Sequence, residues 1–257
     1  MLSADLDTIH AAFLDAFSDY IVPFALTREQ LGEMLTRRGY RAEASAGVFE
    51  EGRLVAFTLN GVDGAWGYDS GTGVVPAYRR RGLARRVMEE SFDLLRGRGC
   101  TKYVLEVLEA NAPAVALYRE LGFVETRRFQ CWSFTAAGEL PPPAERAGVE
   151  EGWWDVLPSW QNSTASLGRA RVRHVVLGDE DGYAVVFPST GDLAQLAVRR
   201  ERRLEGIGTR LLGQACAIAG KPLRILNVDD RDEGIARFLE RAGATKTVRQ
   251  LEMVREL

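Results

Sequence analysis

The segment Gly73-Val74-Val75-Pro76-Ala77-Tyr78-Arg79-Arg80-Arg81-Gly82-Leu83-Ala84 joins a strand end, a basic glycine-containing turn and a helix start. The first N–H groups of a helix opening near Gly82 lack intrahelical partners, and the helix dipole adds partial positive charge beside them. Phosphate is the natural ligand of such a junction. Arg79, Arg80 and Arg81 supply formal charge, while Gly82 and the small Ala84 leave room for a pyrophosphate against the backbone. The same pattern also serves as a plain solvated helix start. A P-loop is excluded because no Lys-Ser or Lys-Thr pair follows the glycine, and the three-glycine dinucleotide fingerprint is absent.

Downstream, the β-rich run Lys102 to Val107 precedes Asn111-Ala112-Pro113 and a helix ending Leu117-Tyr118-Arg119-Glu120-Leu121-Gly122-Phe123. The two segments together resemble the GNAT superfamily of acyl-CoA-dependent N-acetyltransferases. Arg79, Gly82 and Ala84 fill its first motif, Arg/Gln-x-x-Gly-x-Gly/Ala, and Asn111, Tyr118, Gly122 and Phe123 fill its second. The resemblance implies an acyltransferase that uses acetyl-CoA as cosubstrate, needs no metal, and lets a neutral amine attack the thioester directly. It further implies that backbone groups around Val74 and Val75 hold the pantetheine, that Gly82, Leu83 and Ala84 cradle the pyrophosphate, and that Asn111 contacts the cosubstrate. Tyr118 is then placed to protonate the departing thiolate, and Glu106 or Asp69 to accept the amine proton. Plainer readings stand beside these: a core tyrosine, surface carboxylates, and an Asn111 that caps a helix with Pro113 early in it. The acceptor expected is a primary amine of a small molecule, and Asp69 and Glu106 near the cleft point to a cationic one. A non-catalytic acyl-CoA-binding or scaffold protein and a protein or peptide amine acetyltransferase are the alternatives.

The first motif recurs about half a chain later. In Gln195 to Gly208, Val198 aligns with Val74, Arg203 with Arg79, Gly206 with Gly82 and Gly208 with Ala84; Leu223 to Val228 matches the strand at Val104, and Gly243 matches Gly122. This pattern reads as two fused copies of one domain. The second copy departs at Leu204 and Glu205, where the first has Arg80 and Arg81, and places Leu239 at the position of Tyr118 and Asp232 at that of Asn111. A carboxylate near a pyrophosphate is unfavourable, so the C-terminal copy reads as degenerate and the N-terminal one as catalytic. Val198, Arg203, Gly206 and Gly208 remain candidate cofactor contacts.

The elements that must position these residues follow from periodicity. Apolar spacing gives a helix over Asp5 to Ala16 and another over Arg28 to Arg38 capped by Thr27, then a hairpin from Gly47 to Asn60 and a strand over Gly67 to Val75. Closing strands are expected around Arg127 to Phe134, and a second hairpin around Asp179-Glu180-Asp181-Gly182. The fold class is α/β (α+β): two tandem domains, each a mixed, mostly antiparallel sheet flanked by helices. Boundaries are expected at 1–137, a proline-rich linker over 138–150, and 151–257; at 257 residues each half can bury its own core. Trp153, Trp154 and Trp160 read as packing, with a substrate-facing role as the alternative. His10 and His174 match no motif and read as structural.

A net charge of −3 excludes a strongly basic nucleic-acid surface. The start lacks a secretory n-region and no apolar run reaches spanning length, so a cytoplasmic protein without membrane partners is expected, as monomer or homodimer. Cys100, Cys131 and Cys216 lack metal-ligand spacing and read as reduced core thiols.

Overall fold

The computed structural model describes residues 2–22, 25–136 and 144–257. The chain packs into two compact units, Met1–Thr126 with Leu251–Leu257, and Arg127–Gln250. The expected linker at 138–150 lies partly outside the described residues.

The first unit opens with α1 (Leu6–Ala16), whose N-cap Asp5 accepts from the Thr8 N–H, and α2 (Arg28–Arg37), closed by a capping box between Thr27 and Gln30. These caps satisfy the N–H groups a helix start leaves open. β1 (Ala46–Glu50) and β2 (Arg53–Asp63) form the hairpin about Glu51-Gly52, and β3 (Trp66–Val74) runs antiparallel to β2. The helix α3 (Leu83–Arg96) then crosses to β4 (Lys102–Leu108), parallel to β3, and α4 (Ala112–Glu120) follows. The strand β5 (Val124–Phe134) carries the chain into the second unit.

There, α5 (Thr164–Arg169), β6 (Val175–Gly178), β7 (Gly182–Phe187) and β8 (Asp192–Val198) precede α6 (Ile207–Ala219), β9 (Leu223–Asp229), α7 (Glu233–Arg241) and β10 (Thr245–Glu256). Strand order is β1-β2-β3-β4-β10 in the first unit and β5-β9-β8-β7-β6 in the second. The two halves therefore share one topology: three antiparallel strands, a parallel neighbour reached through a helix, and a closing strand.

The closing strands differ from expectation. Arg127 to Phe134, read as the end of the first copy, pairs antiparallel with β9 from Phe129↔Asp229 to Phe134↔Leu223, in the second unit. The corresponding place beside β4 is taken by the chain's last residues: Leu251 and Met253 are buried with Tyr103, Phe92 and Phe123, and the Leu257 N–H bonds the Thr101 carbonyl at 2.9 Å. The physical cause is burial, since a sheet edge beside a filled core is completed by whichever strand buries its apolar face there. Compact packing thus divides the chain at Thr126 and again at Gln250, not in the 138–150 segment.

Candidate active site

The cleft of the first unit is made by two strands that start together and part. β3 and β4 pair in parallel from Trp66↔Lys102 to Asp69↔Leu105, while β3 continues to Val74 and β4 to Leu108. At the parting lies a bulge: Leu59 faces Gly71 while Asn60 faces Asp69, leaving Ser70 as the extra residue. Alternation along a strand sends successive side chains to opposite faces. The inserted residue resets that alternation, so Asp69 and Thr72, three apart, share one face.

The faces carry different chemistry. A Cβ on Gly67 would meet Leu95 of α3, and Thr72 Oγ1 lies 3.4 Å from Met88 Sδ of α3, so Gly67, Asp69 and Thr72 face that helix. Tyr103, paired with Gly67, and Leu105, paired with Asp69, pack there with Phe92 and Tyr118. Tyr68 and Glu106 occupy the other face, Tyr68 Oη donating to Glu106 Oε2 at 3.1 Å with the Arg38 guanidinium 5.9 Å from the Tyr68 ring. A Cβ on Gly71 or Gly73 would meet Phe13 or Ala16 of α1, which places α1 on this side.

Asp69 is 7% exposed and accepts from the Gly71 N–H at 2.8 Å and from Thr72 Oγ1 at 2.7 Å. Burial raises its carboxyl to about 6, against the opposing effect of those two hydrogen bonds and Arg38. Tyr118 is 8% exposed, and burial followed by the nearby Asp69 charge pushes its hydroxyl well above the ordinary tyrosine value. It stays protonated at neutral pH, as an acid must. Tyr20, after α1, hydrogen-bonds the Asn111 side chain, and its hydroxyl is raised chiefly by burial. Asn111 also accepts from the Ala114 N–H as the N-cap of α4.

The turn that the sequence reads as a candidate anion cradle leads into α3. Gly82, at φ 75°, is the N-cap of α3; nothing lies within 4 Å of where its Cβ would be, so the first-turn N–H groups of Leu83 and Ala84 are open to a ligand. Arg80 adopts φ 60° in the same turn, with no ion pair among the described residues. Arg81 pairs with Glu50 at 2.6 Å.

Two expected contacts take other places. Arg79 donates to both Asp19 oxygens at 2.7 Å, to the Ala16 carbonyl at 2.9 Å and to the Val74 carbonyl at 3.2 Å. A guanidinium so occupied fixes the loop and offers little to phosphate. Arg203 repeats the clamp with Asp155 at 2.5 Å and the Trp153 and Val198 carbonyls. The Val75 N–H is spent on the Val55 carbonyl at 3.0 Å, so Val74, one residue earlier, turns its N–H to the cleft side.

In the second unit β8 and β9 pair at Asp192↔Arg224 and then part around a cavity of about 780 Å³. Val198, Gly206, Gly208, Asn227 and Leu239 line it, as do Trp153 and Trp154, whose indoles also pack on and bond Tyr183. Counted back from Gly243, Asn227 takes the sequence position of Glu106; it sits at φ 59° and accepts from Gln250 at 2.8 Å. Glu205 pairs with Arg202, Arg202 and Arg199 approach Asp181, and Arg200 bonds Asp155, so this mouth is charge-compensated.

His10 Nε2 lies 2.8 Å from the Leu26 carbonyl, and the His174 ring packs on Phe187. The three cysteines are buried, and none forms a disulfide among the described residues. Among the described residues no group of three metal-ligating side chains occurs, and no helix is long and apolar enough to cross a membrane. Asp19, Tyr20, Arg38 and Thr72 escaped the sequence reading; only the recurrence of the motif arginine hinted at a shared clamp.

Residues 8–123 match the Acetyltransferase (GNAT) family. Over 78 residues the chain is 40% identical to the [ribosomal protein bS18]-alanine N-acetyltransferase of Escherichia coli K12, 30% of this chain and 51% of that protein. Over 50 residues it is 42% identical to the streptothricin acetyltransferase of Streptomyces lavendulae, 20% of this chain and 26% of that protein. The chain thus spans about half the length or less of these curated relatives. A tandem GNAT protein from the clavulanic acid biosynthesis pathway shares the fold with a TM-score of 0.65 at 16% identity, covering 100% of this chain and 97% of that one. Matched segment, paired motifs and doubled topology agree: residues 8–123 match the Acetyltransferase (GNAT) family, and the chain has the fold of a tandem GNAT protein.

Proposed function

We propose that the N-terminal unit transfers an acetyl group from acetyl-CoA to the primary amine of a small cationic molecule. The observation that carries this reading is the parting of β3 and β4, with Tyr118 on the α3 face and Glu106 on the other. Bound there, acetyl-CoA supplies an activated acetyl thioester. The open N–H groups of Leu83 and Ala84 with Gly82 hold its phosphates, aided by Arg80, and the Val74 N–H faces the carbonyl that becomes an oxyanion. Glu106, reached from the α1 side, accepts the amine proton directly or through water, and Tyr118 protonates the leaving sulfur from the α3 side. The Glu106 carboxylate and the Tyr68 and Tyr20 rings favour a cationic acceptor. Asp69 lies on the Tyr118 face, away from this amine path.

The C-terminal unit keeps the cradle but has Leu239 and Asn227 in place of Tyr118 and Glu106. Chemistry is therefore assigned to the first unit. A peptide α-amine is the second reading, supported by the match to the bS18-alanine enzyme.

Thiol release from acetyl-CoA, measured against a panel of small polyamines and a peptide with N-terminal alanine, tests both. Acetylation of a polyamine that vanishes in Tyr118→Phe supports the first. Turnover of the peptide alone supports the second, and turnover indifferent to Tyr118 refutes the site.

A further inference from the structure

Buried serines in this chain have partners, with one exception. Ser45, Ser91 and Ser166 donate to the Arg41, Val87 and Gln161 carbonyls at 2.7, 2.8 and 2.9 Å, and Ser159 accepts from Asn227 at 3.4 Å. Ser70 is 4% exposed, and its Oγ has no hydrogen-bond partner among the described residues. A hydroxyl taken from water and left unpaired costs stability, so its place in the fold calls for a partner that arrives from outside.

Ser70 is the residue inserted at the bulge, next to the last parallel pair, Asp69↔Leu105. The following residues on the two strands, Ser70 and Glu106, are therefore the first past the parting. Alternation puts Ser70 on the face of Tyr68, whose hydroxyl donates to Glu106 Oε2. Arg38 donates to the Ser70 carbonyl at 2.8 Å and holds the backbone there, while the hydroxyl reorients by χ1 alone. The second unit shows that such a bulge needs no hydroxyl. There Val185 faces Gln195 while Val186 faces Leu193, so Ala194 is the inserted residue, as far before Val198 as Ser70 is before Val74. The same backbone is kept with a methyl group in the copy that has Asn227 in place of Glu106.

We infer that Ser70 Oγ accepts a hydrogen bond from the acceptor nitrogen and selects primary over N-alkylated amines, an inference resting on Glu106 as the base. A neutral primary amine brings two N–H groups and one lone pair. As the lone pair forms the nitrogen–carbon bond and the carbon–sulfur bond breaks, one N–H proton goes to Glu106 and Tyr118 protonates the departing sulfur. The second N–H stays on nitrogen, donates to Ser70 Oγ throughout and becomes the N–H of the product amide. A secondary amine has one N–H, which Glu106 takes, and turns an alkyl group to the hydroxyl. Ser70 then remains unpaired, and the site discriminates by the hydrogen bond it fails to make.

The experiment measures Ser70→Ala in the whole protein with acetyl-CoA, the primary amine of highest turnover in the panel, and the N-methyl derivative of that amine. For the primary amine kcat/KM falls about 10- to 100-fold, the worth of one hydrogen bond to a group that gains charge, and KM for acetyl-CoA is unchanged. For the N-methyl amine kcat/KM holds, so the preference for the primary amine shrinks by the same factor. Without ligands, Ser70→Ala melts no lower than the wild type, because it removes a hydroxyl that the folded chain leaves unpaired. An unchanged preference, whether both rates hold or both fall, overturns the role of Ser70; impaired Glu106→Gln and Tyr118→Phe then leave the site standing. A lower melting temperature in Ser70→Ala reveals a structural hydroxyl and overturns the role as well. Full turnover in Glu106→Gln, or none with any amine of the panel, removes the site and Ser70 together.

Discussion

Gly82→Glu isolates the anion cradle. Nothing lies within 4 Å of the Gly82 Cβ position, so an added Cβ meets no clash, and φ 75° carries a backbone penalty of about 1–2 kcal/mol for an L-residue. Gly82→Ala carries that same penalty without charge and serves as the reference. A carboxylate about 5 Å from one phosphate charge opposes it by about 1 kcal/mol in water and about 3 kcal/mol at the dielectric of a protein surface. The dissociation constant for acetyl-CoA should therefore rise about 4- to 200-fold beyond that of Gly82→Ala. Calorimetric titration of both variants at two salt concentrations reads this directly, because surface electrostatics shrink as the Debye length shortens. Equal affinities for the Glu and Ala variants, or a difference indifferent to salt, would falsify the assignment of Gly82 to a phosphate site.

The remaining predictions address the acid, the buried carboxyl, the clamp and the second copy. Tyr118→Phe binds acetyl-CoA like the wild type and loses about 10²- to 10⁴-fold in kcat; a parallel loss of binding would point to a packing role. The folded-state pKa of Asp69 is raised from 3.8 to about 6, so the folded chain holds more protons within that window. Its stability is full below the window and falls as pH rises through it, by about 3 kcal/mol in total. Urea unfolding at pH 4 and pH 7 should show this fall, and Asp69→Asn should flatten it; an unchanged slope contradicts the burial argument. Asp19→Asn and Arg79→Gln each lower the melting temperature, and the double variant does so by less than the sum, because both remove one contact; strict additivity refutes the clamp. Acetyl-CoA titrates to one tight site per chain, and Gly206→Glu leaves that site intact, since Asp155, Asp181 and Glu205 compensate the arginines of the second mouth; two equal sites would restore the C-terminal copy as a phosphate binder.

Much of the local geometry around the candidate site was legible because its signals are local. A glycine at positive φ before an uncapped helix, an asparagine capping α4, and helix and hairpin periodicities each depend on residues a few positions apart. The doubling was legible for the same reason: Gly82 at φ 75° and Gly206 at φ 83°, Asn111 and Asp232 as caps, are the same local solutions written twice. Glu106 and Asp69 looked equivalent, however, since each is a carboxylate on a strand beside the phosphate helix.

The sequence by itself thus determined the class of fold, the doubled motif, the turn at Gly82 and the Asn111 cap, through steric and hydrogen-bonding rules that act over one turn or one hairpin. The tertiary structure alone decided the rest. It put Leu251–Leu257 beside β4 and Arg127–Phe134 beside β9, because apolar faces are completed by whichever strand buries them. It committed Arg79 to both Asp19 oxygens, 60 positions away, a pairing that only the fold brings within reach. And it separated the two carboxylates, since the one residue inserted at Ser70 and the parting of β3 from β4 decide which face each side chain takes, a matter of register that no spacing in the chain displays.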